Sequence, residues 1–174
     1  MGRAAELARA DPVIGRLFPM LSGADDRAWE RHAHPASVWS RILLGLPLLI
    51  LAGWSRVWIG PWWIAALAVA VLFLWANPRM TPRPTSTDSW GARAVLGERI
   101  WIRYQTAHLP RHHRVLPSVI AGGAAAGHLL LLIGVVALDI WPTVLGYAVG
   151  LLCKLWYLDR MVWLERDMGR TRDA

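Results

Sequence analysis

Apolar residues along this chain gather into four blocks, separated by two short polar links and one long one. The blocks cover residues 38–54, 61–77, 118–138 and 141–159, with Arg41 near the start of the first and Lys154 near the end of the last. A bilayer core about 30 Å thick needs roughly 17 to 25 apolar residues in helical form. Each block is therefore read as a membrane-spanning helix. Pro61 suits the first turn of its helix, because an N–H there has no partner in any case, and Pro78 is expected to close it. The links at 55–60 and around Asp139 and Pro142 are short, so the blocks pair as two antiparallel hairpins. The expected fold is all-α: a four-helix transmembrane bundle with an interfacial helix on the cytoplasmic side.

That extra helix is read from the long link. Pro82 and Pro84 exclude helix, Asp88 is the expected cap, and Trp90, Ala94, Gly97, Trp101 and Tyr104 then recur at helical spacing over 89–104. Residues 108–117 are expected to be loop. Near the amino terminus, Ser22-Gly23-Ala24-Asp25 has the form of a capping box, which predicts a helix over 23–33. The resulting organisation is a cytoplasmic amino-terminal segment (1–35), a first hairpin (36–77), a cytoplasmic loop (78–117), a second hairpin (118–160) and a cytoplasmic tail (161–174).

Charge gives the direction. Six Arg precede or open the first block, seven lie in the long link and four follow the last block, against Arg56 alone on the other side. The excess of Arg and Lys on cytoplasmic loops places both termini and the long link in the cytoplasm of a multi-pass protein of the cell (inner) membrane. There are 12 Trp, far more than a soluble core needs, and nine of them (Trp39, Trp54, Trp58, Trp62, Trp63, Trp75, Trp141, Trp156 and Trp163) fall near block ends, where indole favours the headgroup layer. The formal charge of +7 does not indicate a nucleic-acid partner, since the basic residues alternate with acids and border apolar blocks. It points to the bilayer as partner, with anionic lipids at the cytoplasmic face. One cysteine, Cys153, excludes an internal disulfide.

Hydrocarbon gives helices no reason to pair, so small residues set where they meet. Gly123 and Gly127 in the third block and Gly146 and Gly150 in the fourth are each four apart, and these stripes are expected to face one another within the second hairpin.

The candidate chemistry is sparse. His32, His112, His113 and Glu98 all fall at the cytoplasmic boundary and are the candidate metal ligands, with zinc or iron as the ion. Their spacing matches no established motif, and adjacent histidines point apart on most backbones. Glu98, His32 and Asp159 are the candidates for acid–base chemistry, with Asp159 expected to pair with an Arg of the long link or with Arg41. His128 and Lys154 are the ionisable groups inside the spans, which makes them functional candidates. No nucleophile elbow, phosphate-binding glycine loop or dinucleotide fingerprint occurs.

Several stretches in combination resemble one family. They are Trp29-Glu30-Arg31-His32-Ala33-His34-Pro35, Asn77-Pro78-Arg79, Ala94-Val95-Leu96-Gly97-Glu98-Arg99, His112-His113-Arg114 and the run from Lys154 to Trp163. Together they resemble an uncharacterised prokaryotic family of small four-span membrane proteins, a domain of unknown function, over about residues 29–168. The resemblance implies a multi-pass protein with a shared site at the cytoplasmic boundary and implies no activity. This chain departs from it at His34, where the family has Asn, and at Met80, Thr81 and Arg83.

Three functions follow in order. The first is binding of a lipid, small solute or partner protein at the cytoplasmic boundary. The second is a membrane enzyme with a His/Glu site, with or without metal, at that boundary. The third is a small transporter, which would require a homo-oligomer.

Overall fold

The computed structural model describes residues 31–104, 109 and 111–173. The helix expected over 23–33 lies almost wholly outside the described residues. Within them the protein is an all-α, four-helix bundle without a sheet. The first arm is built from α1 (Pro35–Ser40), one π-helical turn (Arg41–Gly45) and α2 (Leu46–Trp54). A short α3 (Arg56–Ile59) and a 3-10 turn (Gly60–Trp62) lead into the second arm, α4 (Trp63–Met80). Then come α5 (Trp90–Tyr104), α6 (Arg111–Ala137) and α7 (Ile140–Asp173).

The π turn has a local cause. Pro47 has no N–H to donate and its ring would crowd the carbonyl of Leu43, so the backbone widens just ahead of it. Pro35 and the side chain of His34 start α1: His34 Nδ1 accepts from the Ala36 N–H at 3.2 Å. The arm turns back at Gly60, whose φ of 54° suits a residue without Cβ. Asn77 then closes the hairpin, accepting from Ser37 Oγ at 2.9 Å and donating to Ser40 Oγ at 2.8 Å. Pro78 does not end α4, which runs to Met80.

The second hairpin turns in two residues. Leu138 sits in the left-handed region (φ 57°), and the Asp139 N–H reaches back to the Gly134 carbonyl at 2.9 Å. Asp139 then caps α7, its carboxylate accepting from the Trp141 N–H at 3.0 Å. Below the turn the two helices touch through backbone. A Cβ on Gly134 would strike Thr143, one on Gly146 would strike Leu131, and one on Gly127 would strike Gly150. The hairpins are tied at this end by Arg56, which donates to the last carbonyls of α6, Val135 at 2.7 Å and Val136 at 2.5 Å.

The best-buried core lies at the opposite end. There α5 crosses α7, and Gly97 sits so close to the Met161 carbonyl that no side chain fits between them. Ala94, Tyr157, Leu158, Met161, Val162 and Leu164 form this core with Ile120. Those residues continue the apolar face of α7 past 160, which is why the helix reaches Asp173 where a tail is expected over 161–174.

The expected loop over 108–117 is helix from Arg111 onward. Pro117 stands inside it, and its missing N–H leaves the His113 carbonyl without its helical donor. The indole N–H of Trp101 fills that place at 3.2 Å. At the start of α5, Ser89 rather than Asp88 is the cap, its hydroxyl accepting from the Ala92 N–H at 3.2 Å.

Two helical stretches, Pro35–Met80 and Arg111–Ala137, are long and apolar enough to cross a membrane, against the four blocks expected. The first contains both arms of the first hairpin. The fourth block does not qualify on the same terms, since α7 carries Lys154 among Trp and Tyr residues.

Candidate functional site

The residues singled out in the sequence divide between two places. The first is the start of α6. On a helix, adjacent residues lie about 100° apart, which keeps two long side chains within reach of one neighbour. The imidazoles of His112 and His113 sit with ring centroids 4.1 Å apart. Opposite them, α7 presents Asp167, whose Oδ2 lies 2.9 Å from His113 Nε2. One ligand atom from each of His112, His113 and Asp167 falls within 4.8 Å of the others. His113 is buried and held at its backbone by Trp101, whereas His112 is exposed and Asp167 partly so.

This donor set can coordinate a metal ion such as zinc or iron: two imidazoles and a carboxylate suit either. Tetrahedral zinc bonds of about 2.0–2.1 Å put ligand atoms roughly 3.3 Å apart. The His113–Asp167 edge is already that short, and the exposed His112 side chain is the part free to close in. Three protein ligands leave a position open for water or substrate. Arg111 and Arg114 flank the pair on the same helix and make the surroundings cationic.

The second place is a cavity of about 370 Å³ where α1 and the π turn, α5, α6 and α7 meet. His32, Arg41, Glu98, His128 and Lys154 line it, between aliphatic walls that include Ile42, Leu46 and Leu151. Lys154 Nζ donates to Glu98 Oε1 at 3.2 Å and lies 4.9 Å from the Tyr157 ring centroid. Arg41 donates from Nε to the Ser37 carbonyl at 3.0 Å and from Nη2 to the His32 carbonyl at 3.1 Å. His128 Nδ1 lies 2.6 Å from the Ala124 carbonyl of its own helix, and its ring packs on Gly150.

The candidate ligand set His32, Glu98, His112 and His113 therefore does not converge. His32 and Glu98 face the cavity, while the extra turns of α6 below Pro117 carry His112 and His113 away from it. His113 and His128 are fifteen residues apart on one helix, a rise of about 22 Å. Asp159 pairs with its neighbour Arg160 at 3.0 Å, and among the described residues no pair joins it to Arg41 or to the long link. Of the glycines, the structure brings Gly127, Gly146 and Gly150 into one crossing and sets Gly123 against Cys153.

Asp167 was not among the sequence candidates. The signal for it is the register of the second hairpin, in which Gly134 meets Thr143 and Gly127 meets Gly150. Continued down two straight helices, that pairing brings His113 opposite Leu164, within one turn of Asp167.

The family description "Family of unknown function (DUF6653)" matches residues 16–174. The chain belongs to DUF6653. The match spans most of its length and takes in both the cavity and the His112–His113–Asp167 cluster. No curated protein and no solved structure matches the chain.

Proposed function

We propose that this DUF6653 member is a multi-pass membrane protein that holds a divalent metal ion on His112, His113 and Asp167. The ion would serve metal-assisted hydrolysis of an anionic substrate at the bilayer boundary. The observation that carries this reading is the closure of Asp167 on His113, at 2.9 Å, beside a second imidazole. A metal held there supplies a Lewis acid and an activated water. The chain itself supplies the rest. Burial and the Trp101 bond fix His113, Asp167 holds its ring, and Arg111 and Arg114 favour an anionic substrate.

Four spans with both termini on the cytoplasmic side is the topology we adopt with this reading. Large aliphatic side chains of all four arms, among them Leu51, Val69, Leu129 and Leu152, are more than half exposed. Faces so apolar and so open suit hydrocarbon, not water. Lys154 does not bar α7 from the bilayer, because its charge is met by Glu98. The Arg-rich rim suits the anionic cytoplasmic face of a cell membrane.

The test is elemental analysis of the detergent-purified full chain, as isolated and after exposure to zinc or ferrous iron. One bound equivalent is expected, with at least tenfold weaker retention in His113→Ala and in Asp167→Asn. Asp167 lies at the partly exposed edge of the cluster, so its variant is the one expected to stay folded. Absence of stoichiometric metal from the folded original, under both conditions, would overturn the proposal.

A further inference from the structure

The second place, the cavity, has a composition that a purely structural ion pair does not require. An ion pair that only braces a helical bundle needs no open space beside it, since a gap forfeits dispersion contacts. Here Glu98 and Lys154 meet at 3.2 Å on the wall of a cavity of about 370 Å³. Among the described residues, the lining holds two fixed cations, Arg41 and Lys154, against one carboxylate, Glu98, and it adds two imidazoles, His32 and His128. Two of the five guanidinium N–H groups of Arg41 are given to neutral carbonyls, those of Ser37 and His32, and the carboxylate that acts on its charge is Glu98, which Lys154 already engages. The positive excess is built from separate elements. Arg41 comes from the π turn, Lys154 from α7, His128 from α6 and Glu98 from α5.

We infer that this cavity binds an oxyanion, a phosphate or carboxylate, carried on an apolar chain. The cations supply the attraction, with Arg suited to paired contacts to oxyanion oxygens. The aliphatic walls include Leu46 of α2 and Leu151 of α7, and the same two helices expose Leu51 and Leu152, so apolar surface is at hand for a chain attached to the head group. Glu98 has a defined part in this arrangement. It neutralises Lys154 while the cavity holds no anion and competes with the anion when one arrives. The site is separate from the metal cluster: His128 and Lys154 lie about 20 Å from His113 and Asp167 along α6 and α7.

The experiment is native mass spectrometry of the full chain released from a non-ionic maltoside detergent, with dodecyl phosphate as the probe. Dodecyltrimethylammonium serves as the cationic control and inorganic phosphate as competitor. One dodecyl phosphate per chain is expected, with no retained dodecyltrimethylammonium. Retention should fall at least tenfold in Lys154→Met and rise at least threefold in Glu98→Gln. The gain in Glu98→Gln is decisive, because a pair that merely braces the bundle would give loss of stability and no tighter binding. Equal retention in all three proteins, or equal retention of the cationic probe, would overturn the proposal. Displacement by millimolar inorganic phosphate would support the oxyanion site and assign its ligand to a soluble source. Resistance to phosphate would assign it to a lipid.

Discussion

The indole N–H of Trp101 takes the place of a backbone donor, bonding the His113 carbonyl that Pro117 cannot reach. One hydrogen bond thus repairs the helix, docks the end of α5 and fixes the only buried member of the metal cluster. Trp101→Phe removes the donor along with part of the packed indole, and the unsatisfied buried carbonyl alone costs about 1–3 kcal/mol. In a Pro117→Ala background the helix regains its own N–H, so the same substitution should cost about 1 kcal/mol less. A double-mutant cycle by thermal or denaturant unfolding in detergent measures this coupling, and additive losses would refute it.

Gly97 and Gly122 should answer the same substitution in opposite ways. A methyl on Gly97 collides with the Met161 backbone, which cannot give way as a flexible side chain could. Gly97→Ala is expected to cost about 3 kcal/mol or more and to release α5 from α7. Nothing stands within 4 Å of a methyl on Gly122, so Gly122→Ala should stabilise by up to ~1 kcal/mol through helix propensity. Limited proteolysis in the 81–89 link, together with the unfolding midpoint, separates the two.

Leu138 occupies the left-handed position of the second hairpin turn, where a side chain with Cβ costs roughly 1–2 kcal/mol. Leu138→Gly should recover about 1 kcal/mol without altering the Asp139 cap. An unchanged or lower midpoint would show that the Leu138 side chain contributes as much as its backbone strain costs.

Asp88 carries the pH prediction. The Ser86 hydroxyl, and then Arg93 at 3.3 Å, hold its carboxyl below the usual carboxylate range. A depressed value means that this contribution to folding is complete above the ordinary carboxylate pKa, about 3.9. It is lost as pH falls through the lower folded value. Carbon-detected NMR titration should give a midpoint below that of a free aspartate. Ser86→Ala and Arg93→Ala should each raise it.

Apolar blocks and proline punctuation made the helical arms and the crossing of Gly127, Gly146 and Gly150 legible, because helix length and small-residue spacing are local properties. What escaped depends on partners distant in sequence. Pro117 reads as a helix breaker until Trp101 is known to satisfy the orphan carbonyl. Residues 161–173 read as a charged tail because Met161, Val162 and Leu164 are spaced among charges, and only α5 lying across them shows that they form a core face. The candidate site was half legible for the same reason. His112, His113, Glu98 and His128 stand out as residue types, but which of them share a site depends on the reach of α6. Asp167 becomes visible only when the hairpin register is carried to its end.

The bond from Arg56 to the last carbonyls of α6 has a consequence for assembly during synthesis. In the proposed topology Arg56 is the one basic residue that must be carried across the bilayer, and it crosses before α6 has been made. Its two acceptors, on Val135 and Val136, arrive only with the second hairpin. The first hairpin is therefore incomplete on insertion, and the arrival of the second both supplies its missing acceptors and makes the reverse passage of that arginine costly. The chain latches its own orientation, late and from the far side.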